Sequence, residues 1–115
     1  MSLPEVAHGV IPDSGGVARL FQMAGHGLAA DLALTGRVMD ADEALRHGIV
    51  SRVVSLDELD EAALGIARGL AERSQLAVRM TREVLRNLAA PEVERSMHQE
   101  WVSQAIVMGE RRKHE

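Results

Sequence analysis

Only residues 49–54, Ile49-Val50-Ser51-Arg52-Val53-Val54, carry a β-rich run that reads clearly as a strand. A weaker strand candidate lies near residues 3–6. A strand needs a neighbour, and a lone hairpin is barely stable in water, which is a sign that something is missing from this chain. Elsewhere the apolar residues recur at steps of three and four, the spacing of a helix with one buried face. Residues 16–24 place Val17, Leu20, Phe21 and Ala24 on one side, with Gly25 as a left-handed stop. A second short helix covers 27–35 and closes at Gly36. A third covers 41–47, opened by the Asp40/Glu43 capping-box spacing and stopped by Gly48. Ser55 and Glu58 repeat that spacing before a longer helix at 56–73, and Ser74 caps another at 75–88. Pro91 fits the first turn of a last helix that runs to 109. The expected fold is mainly α, five to six helices with one or two short strands.

Composition narrows the function classes. The chain has 115 residues, which is one domain or a piece of one. Its aromatics are Phe21 and Trp101 alone, so the core must be built from Ala, Leu, Val, Ile and six Met. Such a core favours a partner surface, and a homo-oligomer is expected. Cysteine is absent, which excludes disulfides, thiol nucleophiles and cysteine-based zinc sites. The net charge of −4 argues against a nucleic-acid partner, including a helix-turn-helix reading. No apolar run nears the roughly 18 residues of a membrane span. The start lacks a basic-then-apolar signal pattern, so a cytoplasmic location is expected.

The non-helical start holds the candidate chemistry. Glu5 lies between Pro4 and Val6, and Asp13 precedes Ser14-Gly15-Gly16, where the two glycines allow a tight turn into a helix N-terminus. Backbone N–H groups there can hold an anion or steady a carboxylate. Two carboxylates near apolar walls form an acid/base pair when burial and repulsion split their pKa values. The same residues also fit plainer roles: Asp13 suits a turn or helix cap, and Glu5 a solvated strand edge. His8, His26, His47, His98 and His114 show no metal-ligand spacing, and no metal site is expected. Ser14 lies in no G-x-S-x-G elbow, and the glycines match no phosphate-binding fingerprint. Arg79, Arg82 and Arg86 share a helix face and read as solvated.

Taken together, Pro4-Glu5-Val6, Gly9-Val10-Ile11-Pro12-Asp13-Ser14-Gly15-Gly16 and Arg19-Leu20 resemble the middle of an enoyl-CoA hydratase/isomerase (crotonase) domain. The likeness continues through Leu34-Thr35-Gly36-Arg37 and Gly48-Ile49-Val50-Ser51-Arg52-Val53-Val54 and covers nearly the whole chain. The resemblance implies the C-terminal helical segment of a crotonase-like α/β spiral fold, and a single partial domain. Residues 1–16 would be an active-site loop, 17–54 short helices and a strand, 55–109 the C-terminal helices, and 110–115 a charged tail. It implies that Glu5 is a catalytic acid/base acting at Cα or Cβ of an enoyl-CoA thioester. Asp13 would move a second proton or orient a water, and Val10, Ile11 and Pro12 would line the acyl pocket. Some family isomerases carry Asp at the Asp13 position where hydratases often have Gly, so the pattern leans towards isomerisation. No resident cofactor is implied, because coenzyme A is part of the substrate. The resemblance also assigns the CoA loop and both oxyanion-hole donors to a first half not found in this chain. The isolated chain is therefore expected to be inactive. The alternative is a non-catalytic helical oligomerisation module, a family-like trimer or a dimer of this segment.

Overall fold

The computed structural model describes residues 1–114. It contains four α-helices and no strand among those residues: α1 (Gly16–Thr35), α2 (Ala41–Arg46), α3 (Leu59–Ala71) and α4 (Gln75–His114), preceded by a 3-10 turn at Glu5–His8. The mainly helical reading holds, and both expected strands are corrected. Around Glu5 the chain closes into the 3-10 turn, ended by Gly9 in the left-handed region (φ 68°). Residues 49–54 form no ladder. Ile49 N–H turns back to donate to Ala44 O (2.9 Å), while Val53 and Val54 stay exposed. Their composition suits a strand, but no described segment offers an edge to pair with.

Helix α1 contains both of the short helices expected before residue 36. Gly25 separates them with φ 78° and ψ 175°, a combination nearly confined to glycine. The bend has a consequence for the N-terminal segment. A straight helix of 20 residues spans about 30 Å. Yet a Cβ on Gly16 would lie 3.0 Å from Leu3 Cδ2, and one on Gly36 3.8 Å from Leu3 O. Both ends of α1 therefore converge on the segment just before Glu5. In the fold of α1 sits the small core of Leu20, Ala29, Leu32, Met39 and Ala44, with Leu3, Ala24, Leu28 and Ile49 packed against it.

Helix α2 starts where expected, with Asp40 Oδ1 accepting from Glu43 N–H (2.7 Å). The reciprocal half of the capping box is missing because Glu43 is held elsewhere. Arg37 donates to both of its oxygens (2.9 and 2.6 Å) and through Nε to Asp31 (2.5 Å), tying the end of α1 to α2. The hydrogen-bonded Arg37 guanidinium holds the Glu43 carboxyl below its ordinary range. The second expected box, Ser55/Glu58, forms a side-chain bond between the two residues, but the helix begins only at Leu59.

The two helices expected on either side of Pro91 are one, another correction. Proline removes a backbone bond and crowds the preceding turn, but α1 grips α4 across that point. Gln22 donates to Ala89 O (3.1 Å) and Glu92 Oε2 (3.2 Å), and Val93 is buried. The helix continues through His114, past the expected end at 109; Glu115 lies outside the described residues. The chain is extended. Its radius of gyration is 17.8 Å, against about 13 Å for a compact chain of this length. Its accessible surface is 8667 Å², against about 6,200 Å² for a compact protein of this mass. Helix α3 buries none of its residues.

Candidate functional site

Glu5 opens the 3-10 turn, and Gly36, the cap of α1, lies against Pro4 and Ala7. Its carboxylate oxygen Oε2 is buried and finds no hydrogen-bond partner among the described residues. Buried polar atoms are nearly always paired, and the exceptions call for an explanation. Asp13 differs. It is exposed, and its described side-chain contact is a long bond accepted by Oδ1 from Ser14 Oγ (3.3 Å). It does not cap α1: the cap position is Gly15, and no side chain of the loop bonds there. The bend in α1 gathers the segment around Glu5, whereas Asp13 lies on the loop held by α4, and no hydrogen bond joins the two acids among the described residues. Val10 and Ile11 are half-buried and Pro12 is buried on the loop between them.

That loop is held by α4. Gly15 N–H donates to Glu100 Oε2 (2.8 Å), and Ser96 Oγ donates to Glu100 Oε1 (3.0 Å). Ile11 N–H donates to Gln104 Oε1 (3.0 Å). Glu100 is only 7% exposed. The glycine turn does steady a carboxylate, as its backbone chemistry predicted, but the carboxylate comes from 85 residues away. Gly15 has φ 72°, and a Cβ there would stand 3.1 Å from Val93 and 3.2 Å from Met97, so glycine allows both the turn and the approach of α4. Sequence reasoning passed over Ser96, Glu100 and Gln104. Their spacing of four was the available signal: a polar stripe beside the apolar Val93, Met97 and Trp101.

A groove of about 520 Å³ lies elsewhere, between α1 and α4, lined by Arg19, Met23, Arg86, Val93 and Met97 among others. None of Glu5, Val10, Ile11, Pro12 or Asp13 lines it. The described residues contain no cluster of three or more His, Asp or Glu able to hold a metal ion. No described helix is long and apolar enough to cross a membrane.

The profile of the enoyl-CoA hydratase/isomerase family matches residues 1–112. The chain belongs to this family. Among its relatives, carnitinyl-CoA dehydratase of Salmonella arizonae is 44% identical over 93 residues, covering 81% of this chain and 36% of that protein. A probable enoyl-CoA hydratase of Rhizobium meliloti is 51% identical over 82 residues, 71% of this chain and 32% of that one. The crystal structure of an enoyl-CoA hydratase/isomerase from Pseudoalteromonas atlantica superposes with a TM-score of 0.85 at 32% identity, covering 93% of this chain and 43% of that one. An enoyl-CoA hydratase from Mycobacterium avium gives 0.87 at 29% identity. The chain thus spans about a third of the curated relatives it matches. Its helices match a helical segment of the crotonase fold.

Proposed function

We propose that this chain supplies the acid/base residue and part of the acyl pocket of an acyl-CoA-processing enzyme. The observation that carries the reading is the buried, unpartnered Oε2 of Glu5 at the second position of Pro4-Glu5-Val6. An orphaned carboxylate oxygen is a proton acceptor with no structural task. In this reading Glu5 moves a proton at Cα or Cβ of an enoyl-CoA thioester. Asp13, exposed and not used as a cap, moves a second proton or orients a water. Val10, Ile11 and Pro12 line the acyl chain, and coenzyme A enters as part of the substrate. Asp13 favours isomerisation, whereas the relatives named dehydratase and hydratase favour water chemistry. Proton removal beside a thioester carbonyl also needs donors for the enolate oxygen, and losing one donor typically costs about 10²–10³ in rate. In this reading those donors come from outside this segment, and the chain alone is expected to be inactive.

The test is turnover of a panel of enoyl-, dienoyl- and 3-hydroxyacyl-CoA thioesters, with Glu5→Gln and Asp13→Asn as controls. Turnover that disappears in Glu5→Gln supports the acid/base role and overturns the expected inactivity. Turnover that survives Glu5→Gln sinks the role of Glu5. The products separate isomerisation from water addition.

The surface supports a second reading, a helical self-associating module. The excess over a compact protein is about 2,500 Å². A specific interface buries about 1,200–2,000 Å² in total. Leu56, Leu64, Leu70, Leu88 and Trp101 are among the exposed apolar residues that association would cover. Sedimentation showing a monomer at micromolar concentration would remove this reading.

A further inference from the structure

We propose that Glu100 is the positioning residue of the loop that carries Asp13; the proposal rests on the acid/base reading above. A helix N-terminus leaves backbone N–H groups without intrahelical partners. The nearest acceptors in sequence are Asp13 and Ser14, residue types that commonly cap helices. Neither does so at α1. Instead α4 sends in a buried carboxylate, with Glu100 Oε2 taking Gly15 N–H and Oε1 taking Ser96 Oγ. A hydrogen bond to a charged acceptor is the stronger kind, and Ser96 fixes the rotamer that delivers it. Gln104, one turn further along α4, takes Ile11 N–H and pins the other side of Asp13. The loop is thus held at both flanks through its backbone. Asp13 stays out of the capping task and keeps its side chain for other use.

The experiment is amide hydrogen exchange by NMR on the full chain, with the Asp13 side-chain carbon resonance followed in the same samples. Glu100→Ala is expected to speed exchange at Gly15 by about tenfold or more, the size expected for losing a hydrogen bond to a charged group. It should also move the Asp13 resonance, while amides at Ala29 and Leu32 in the core keep their protection. Glu100→Gln retains an acceptor oxygen and the shape, so it is expected to restore most of both signals; it also serves if the alanine variant does not fold. Gln104→Ala should free Ile11 alone. Unchanged Gly15 exchange in Glu100→Ala would overturn the proposal, as would a uniform loss of protection that leaves the Asp13 signal in step with the core. Any turnover shown by the chain that Asp13→Asn left unaffected would instead end the role of Asp13, while the exchange result at Gly15 would stand.

Discussion

Replacing Glu5 with methionine should make this chain more stable and leave it without acid/base capacity. Methionine is similarly long and unbranched, fills irregular space and carries no group that demands a strong partner. A buried polar atom left unpaired costs about 1–3 kcal/mol. Glu5 as a whole is half-buried, and Oε2 is its buried oxygen without a partner, so the lower end applies. We expect a gain of about 1 kcal/mol. Average unfolding entropies give about 0.24 kcal/mol/K for a chain of this length, so Tm should rise by about 4 °C. The assay is thermal and urea unfolding followed by helical circular dichroism, at one protein concentration because association would shift both midpoints. Glu5→Gln is the matched polar control and should gain less, since its amide still needs a partner. A lower Tm for Glu5→Met, with the urea slope unchanged, would refute the reasoning. It would mean that solvent satisfies the carboxylate, and its burial would cease to mark a residue kept for chemistry. A more stable variant is the expected signature of a functional group held against stability.

Gly15→Ala should be destabilising for two reasons, its φ of 72° and the approach of Val93 and Met97. The left-handed conformation alone costs about 1–2 kcal/mol, which urea unfolding would read. Leu32→Ala should cost about 3 kcal/mol, because Leu32 is fully buried in a core with few other large side chains. Leu70→Ala on exposed α3 should change stability by no more than about 0.5 kcal/mol; equal losses at the two sites would refute the observed core. Glu43 has its carboxyl lowered from an ordinary 4.5, chiefly by its hydrogen bonds from Arg37. Its contribution to stability is therefore present above that value and lost as pH falls through the lower folded value. An acid titration of Tm should show this loss in the native chain and a smaller one in Arg37→Met.

Local chemistry was legible wherever a residue acts on its immediate neighbours. Gly25 and Gly36 punctuate α1 as their backbone freedom predicts, and Asp40 caps α2. Four-residue periodicity located the helices. Pro91 misled because local sterics argue for a break, while Gln22 and the burial of Val93 hold α4 together from outside it. Residues 49–54 misled for the opposite reason: strand-like composition cannot supply the pairing edge that a strand requires.

The candidate site divides in the same way. The sequence alone singled out Glu5 and Asp13, on a Gly/Pro-rich segment, as the candidate acids, and it carried the motifs of the family. Packing set their circumstances. It left Glu5 Oε2 buried without a partner among the described residues, and it tied the loop around Asp13 to α4 through Glu100 and Gln104. The physical reason is separation along the chain. Capping and turn preferences act over a few residues, whereas the bond from Gly15 to Glu100 joins groups 85 residues apart and exists only once α1 has bent and α4 has packed against it.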